Sequence, residues 1–270
     1  MRAAGAEFEL VPMLTSGDTG GPVGAAGLKG LFVQEIVREL QEGEIDLAVH
    51  SAKDLPSDDP EGVVVAAVPT RASPHDVLVT REEGLADGAR VGSSSLRRRG
   101  QLKRARPSVE VVELRGNVDT RLRKLAEGKV DGLVLAEAGL SRLGLEPEHC
   151  ERLREDEMVP APGQGALAVQ TRPGGEAWEI VRTIDDSDSH VGFDAERRVV
   201  GLLGGGCALP LGVYAHVVGD RMRLHGVVFP PDGSRFLETT VEGPRDEDVA
   251  VRAAQELLDM GAGDILASLR

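Results

Sequence analysis

Short apolar strand candidates alternate with helix candidates along most of this chain, and that alternation restricts the fold more than any other feature. Residues 29–42 have helical periodicity, with Phe32, Val33, Ile36, Val37 and Leu40 on one face. Apolar strands are predicted over residues 45–49, 62–68, 76–80, 90–92, 109–114, 131–136 and 166–171. Helices are expected after Ser93, Ser94 and Ser95, then over residues 120–126 and 138–143. Strands separated by helices predict an α/β protein with parallel sheets. Two crossing segments, residues 70–74 and 158–165, divide the pattern into two lobes joined by a double hinge. Residues 7–14 read as one further strand. Residues 15–27, rich in glycine and poor in large side chains, read as a lid loop. From His190 the character changes to a helix, a glycine-rich loop, three strands and a final helical region, which is a small α+β domain.

Charge is distributed unevenly over this frame. Residues 90–124 carry eleven Arg or Lys against three acids, in a protein whose formal net charge is −14. A basic block in an acidic chain points to an anionic ligand. Two helix starts fall at the ends of two strands inside the block, each offering free N–H groups and a positive dipole end. Arg97, Arg98, Arg115 and Arg121 lie within a turn of those starts. A solvated helix face accounts equally well for Arg99, Lys103, Arg104, Arg106, Arg123 and Lys124. The block has no Phe, Tyr or Trp, and the chain is only 3% aromatic, so no stacking platform for nucleic acid is present. A small ligand with several carboxylates or phosphates fits the planar guanidinium groups better.

Two further loops carry chemistry. HSAKDLP, residues 50–56, follows a buried strand, where α/β sheets place ligands, and sets Asp54 beside Lys53; a surface ion pair before a proline turn is the competing reading. GGGCALP, residues 204–210, holds Cys207 among glycines that leave its sulfur open to chemistry, although a partly buried inert thiol remains open. With Cys150 it makes two cysteines, too few for a disulfide framework. The scattered histidines form no metal-binding spacing, and no Walker loop, GxSxG or dinucleotide fingerprint occurs. Without a long apolar run or a leader pattern, the chain is read as cytoplasmic, with no membrane partner.

KGLFVQEI, HSAKDLP, VGSSSLRRRGQL, LRGNVDTRL, AGLSRLGL, PAPGQGALA and GGGCALPLGVYA occur in the order found in the hydroxymethylbilane synthase (porphobilinogen deaminase) family, which this sequence resembles. The resemblance implies two type II periplasmic-binding-protein-like lobes plus a third domain. On that basis lobe 1 comprises residues 1–70 and 161–184, lobe 2 residues 71–160, and the C-terminal domain residues 188–270. It implies condensation of four porphobilinogen molecules head to tail, with loss of ammonia at each step, by a monomer. It also implies a covalent dipyrromethane cofactor held by a thioether at Cys207, and Asp54 as general acid and counter-charge to azafulvene intermediates. Each pyrrole unit brings an acetate and a propionate, and Arg97, Arg98, Arg115, Arg121 and Arg142 match the family's carboxylate-binding positions. Ser51, Lys53, Ser94, Ser95 and Gln164 match further contacts, with Lys29 and Phe32 on the lid side. The family ordinarily opens with a strand and helix bearing RxGSxLAxxQ, which does not precede Glu7 here; the expectation is a shortened reading of a longer protein. A catalytically impaired, bilobed binder of a small polycarboxylate is the alternative function.

Overall fold

A computed structural model describes residues 7–13, 27–204, 209–245 and 247–269. The first lobe begins with α1 (Gly27–Glu42), β1 (Leu47–Ser51) and β2 (Val64–Ala67). The second holds β3 (Asp76–Thr80), β4 (Arg90–Gly92), α2 (Leu96–Ala105), β5 (Glu110–Val112), α3 (Val118–Ala126), β6 (Gly132–Ala136), α4 (Glu137–Leu143) and β7 (His149–Arg152). The chain then returns to the first lobe as β8 (Leu167–Thr171) and α5 (Glu176–Arg182). It ends in a third domain of α6 (Ser187–Leu202), β9 (Leu211–Val218), β10 (Arg221–Val228), β11 (Leu237–Pro244), α7 (Val249–Asp259) and α8 (Ala262–Ala267).

Period-two burial explains the two lobes. In lobe 2, Leu78, Val91 and Val134 face Leu102 of α2 and Met158. The alternate residues Val77, Val79, Leu133 and Leu135 face Leu125 of α3 and Leu140 of α4. In lobe 1, Val33, Ile36, Val37 and Leu40 of α1 pack against Ala48 and Ala168, while Val169 meets Val181 and Trp178 of α5 on the opposite face. The α1 face read from the sequence is buried as expected at these four positions.

The expectation of parallel sheets needs correction. Lobe 1 has the order β1-β8-β2, and β8 is antiparallel to both neighbours. Lobe 2 has the order β5-β4-β6-β3-β7: β4 is parallel to β5 and β6, whereas β3 is antiparallel to β6 and β7. The cause is the double hinge. β3 and β8 enter their lobes from the hinge and run away from it, against strands such as β1 and β4 that end beside it. Residues 7–13 form no strand, and Phe8, Leu10 and Val11 are exposed, contrary to the expected strand over 7–14. The lid loop expected over 15–27 lies outside the described residues, except for Gly27. Neither β7 nor α5 was anticipated; β7 has a mostly exposed, polar sequence, HCER.

Both crossings are fastened to the third domain by one buried acid. Glu196 of α6 accepts from Arg71 Nη1 (2.7 Å) and Nη2 (3.1 Å), from Gly163 N (2.6 Å) and from Ala215 N (2.8 Å). Arg71 Nε also donates to Gln164 O at 2.9 Å. One carboxylate thus holds the outgoing segment, the returning segment, α6 and β9 together. Helix α2 touches the third domain directly, since a Cβ on Gly100 would lie 2.2 Å from Phe229.

Candidate active site at the hinge

Asp54 sits on a tight turn just beyond β1. Ala52–Asp54 forms one 3-10 turn, pinned where Ala52 N donates to Ala166 O (3.1 Å) and Leu55 N to Ala52 O (3.1 Å). Ala52 and Leu55 are buried, which leaves Lys53 and Asp54 half-buried between them. The returning segment lies directly against this turn. Gly163, at φ +70°, would place a Cβ 2.8 Å from Ala52 C and Lys53 N, so only glycine lets the two backbones meet. Gly165, at φ +85°, approaches Ala72 O and Ser73 O of the outgoing segment in the same way. Arg142 Nη2 donates to Gly165 O at 2.7 Å, which brings its guanidinium to the loop that supports Asp54.

Across the loop are the two helix starts expected from the sequence. Ser95 caps α2, its side chain accepting from Arg98 N, and Asn117 caps α3, accepting from Thr120 N at 2.9 Å. Because β4 and β5 are parallel neighbours, both helices begin at the same edge of the sheet. Arg121 reaches from α3 to Ser94, Nη2 donating to Oγ at 3.4 Å. Its Nε is buried and has no hydrogen-bond partner. Burial, and then the nearby Arg98 charge, lower its pKa from the usual guanidinium range. Partial desolvation lowers that of Arg142 as well, although much of this residue is exposed. Neither guanidinium has a carboxylate partner among the described residues. Guanidinium groups and helix N–H groups of this kind can donate hydrogen bonds to carboxylates.

The other expected site residues divide into groups. Arg97 and Arg98 are buried and converge on Asp76: Arg97 Nη2 lies 2.7 Å from Oδ2 and Arg98 Nε 2.9 Å from Oδ1. Arg97 Nη1 also donates to Val159 O and Arg98 Nη1 to Val134 O. Instead of two open arms, they form a braced cluster whose one acid leaves an excess positive charge behind the start of α2. Gln164 is fully buried, donating to Pro74 O at 2.6 Å with its Oε1 3.4 Å from Arg97 Nη2, so it cross-links the hinge. Arg115 is 84% exposed and paired with Glu113 at 2.7 Å. Ser51 is exposed at the end of β1. Lys29 and Phe32 belong to α1, but their side chains lie outside the description, as does Cys207.

Arg104 and Arg106, read as a solvated face, are also engaged. Arg104 stacks 4.0 Å over Phe236 and pairs with Glu238, while Arg106 reaches Glu151 and Glu157. Sequence reasoning missed Asp76, Arg71, Glu196 and Gln101; the last exchanges two hydrogen bonds with the Val159 backbone. Only Asp76 left a visible signal, as a lone acid opening the apolar run DVLV.

Comparisons with known proteins identify the family. Residues 1–179 match the family model described as porphobilinogen deaminase, dipyromethane cofactor binding domain, and residues 193–259 match the porphobilinogen deaminase C-terminal domain. A porphobilinogen deaminase of Rubrobacter xylanophilus is 44% identical over 100% of this chain and 90% of its own length. That of Brevibacillus brevis is 41% identical over 98% and 88%, and that of a Roseiflexus species 46% over 91% and 83%. Among solved structures, an amino acid transporter substrate-binding protein of Streptococcus pneumoniae overlaps at TM-score 0.33 and 19% identity, covering 56% of this chain and 65% of its own; so loose a match carries no argument.

Proposed function

The chain belongs to the porphobilinogen deaminase family, and from that premise we propose how its own residues carry the reaction. The protein is a transferase that condenses four porphobilinogen molecules head to tail into linear hydroxymethylbilane with release of ammonia. Its cofactor is a covalently bound dipyrromethane. The buried, unpartnered Nε of Arg121, and Arg142 without a carboxylate partner among the described residues, suit a group that brings several carboxylates. When bound, the dipyrromethane supplies the pyrrole terminus to which substrate is joined.

In this reading Arg121, Arg142 and Ser94 grip carboxylates, with the helix starts and Ser95 adding N–H and hydroxyl groups. Arg97 and Arg98 act mainly through the field of their braced cluster, which is one positive charge in excess. Asp54 protonates the departing amine and then faces the cation left behind, so one carboxylate serves both purposes. Lys53 and Ser51 flank it, Gln164 fixes the loop beneath it, and Arg115, Lys29 and Phe32 border the opening. Cys207 carries the cofactor. Lobe 1 takes residues 1–70 and 161–184, lobe 2 residues 71–160, and the cofactor-bearing domain residues 188–270. No described helix is long and apolar enough to cross a membrane; a cytoplasmic monomer that binds no nucleic acid completes the proposal.

The observation that carries the site reading is the Gly163 contact, which fixes the Asp54 turn on the loop that also holds Arg142. A binder without chemistry is not favoured, because relatives matched along nearly the whole chain are deaminases. The test is intact mass and turnover together. Protein from cells making porphobilinogen should be heavier than its sequence by two pyrrole units, lose that increment in Cys207→Ala, and release ammonia from added porphobilinogen. Unmodified mass with no ammonia release would overturn the proposal.

A further inference from the structure

His225 lies on β10, on the sheet face turned away from α6 and α7, and is 4% exposed. Both ring nitrogens meet acids. Nδ1 is 2.7 Å from Glu155 Oε1, and Nε2 is 3.0 Å from Glu238 Oε1. Glu155 belongs to the segment by which lobe 2 leads into the returning hinge, whereas Glu238 is on β11 of the third domain. The imidazole therefore stands between two bodies. A neutral imidazole donates from one nitrogen only, so two acidic acceptors are both satisfied only when it carries two protons.

We propose that His225 is a proton-operated latch: doubly protonated, it bonds Glu155 at the exit of lobe 2 and Glu238 of the third domain at once, and loss of one proton leaves one of the two acids without its donor and weakens the tie. None of the residues proposed for catalysis takes part in it.

Glu155 and Glu238 favour the closed form, while two cations compete with the ring for the same carboxylates. Arg223 Nη1 shares Glu155 Oε1 at 2.7 Å and its Nε lies 3.8 Å from Glu242. From α2, Arg104 approaches Glu238 Oε2 at 3.3 Å. On β9, Tyr214 is the cross-strand neighbour of His225, with His216 stacked on it. On the lobe 2 segment, Arg154 is occupied by Asp156 and Glu157, and Glu157 by Arg106 as well. Burial alone would drive a proton off the imidazole, but hydrogen bonds and charge from Glu155 and Glu238 outweigh it and raise its pKa above the usual 6.5. Chiefly through the His225 hydrogen bond, Glu155 is lowered to about 2, so it stays ionised throughout the working range. With the folded pKa raised, both bonds are complete below the ordinary histidine value of about 6.5, and one of them is lost as pH rises through the folded value.

The latch has a position from which it could act. Glu155 is a few residues before Val159 and Pro160, whose backbone is held by Gln101, Arg97 and Val213 N. Loss of the His225 proton would loosen that strap at its lobe 2 end, where Arg223 still holds Glu155, while leaving the hinge contacts of Glu196 in place.

Two measurements on the full chain test this. Histidine NMR, with the His225 signals assigned by their loss in His225→Gln, should give a midpoint above about 6.5 that falls to or below that value in Glu155→Gln. Hydrogen exchange, corrected for the intrinsic pH dependence, should accelerate about tenfold or more in residues 153–159 and 221–228 as His225 deprotonates. That is the opening change produced by a lost charge-assisted hydrogen bond. The same segments should be fast and independent of pH in Glu155→Gln. A wild-type midpoint at or below about 6.5, or exchange that ignores the titration, would overturn the latch. The wild-type exchange reading stands even if a variant fails to fold.

Discussion

Glu196→Gln is the sharpest test of how the two lobes and the third domain are held together. Each carboxylate oxygen of Glu196 accepts from two donors, Oε1 from Arg71 Nη1 and Ala215 N, and Oε2 from Arg71 Nη2 and Gly163 N. A glutamine amide nitrogen must replace one of these oxygens, and in either orientation it turns N–H groups toward two donors. Two charge-assisted bonds at about 1.5–3 kcal/mol each give a loss of roughly 3–6 kcal/mol, in line with the ~3–5 kcal/mol for breaking a buried pair by removing one partner. That is a large part of the ~5–15 kcal/mol that holds a typical domain folded. Urea unfolding followed by tryptophan fluorescence and by far-UV circular dichroism should show the midpoint falling by about 1 M or more, for slopes of ~1–3 kcal/mol/M. Arg71→Met combined with Glu196→Gln should cost less than the two single losses added, with a coupling of about 0.5–3 kcal/mol. A single-variant loss under about 1 kcal/mol, the ordinary size for a point change, would refute the reasoning.

Asp54→Asn should leave the fold intact and lower turnover by about 10²-fold or more; turnover near that of the parent would remove Asp54 from the mechanism. Arg121→Met should abolish or slow cofactor loading, read by intact mass, without loss of stability, because it deletes a half-buried cation that has no acid partner. Asp76 should dominate acid unfolding: burial alone would raise its pKa, but Arg97 and Arg98 overcome this and lower it. Its contribution is therefore present above the ordinary value of about 3.9 and lost as pH falls through the depressed folded one. Asp76→Asn should be destabilised near pH 7 and show a flatter acid limb, and a parallel acid limb would show that the group does not titrate as argued.

Periodicity made the helices and most strands legible, because α1, β3 and β6 each present a face that the fold must bury. Strand direction was not legible. Alternation implies parallel pairing only when each strand is reached by a crossover within its own sheet, and β3 and β8 are reached instead through the hinge. Candidate chemistry stands out in the sequence where unusual neighbours meet, as with Asp54 beside Lys53 and the serines that precede α2, and the roles proposed for them rest on that pattern. What the sequence does not show is that Arg97, Arg98 and Gln164 turn their side chains inward to partners remote in sequence. Asp76 and Glu196 show the reverse of the same difficulty: an isolated acid within an apolar run or a helix gives no hint of the guanidinium that will find it.

The placement of β8 has a consequence for how the protein is made. β1 and β2 do not pair with each other; each pairs with β8, which emerges from the ribosome only after all of lobe 2. Every strand of the lobe 2 sheet, by contrast, lies between Asp76 and Arg152. During synthesis, lobe 2 has its whole sheet before lobe 1 can join its two early strands. Among the described residues those strands have no other ladder partner to wait with, and long-range pairing of this kind is slow and prone to aggregation. A nascent chain halted near residue 160 should therefore hold a protease-resistant lobe 2 beside a cleavable N-terminal portion, with protection of both arriving only once β8 is released.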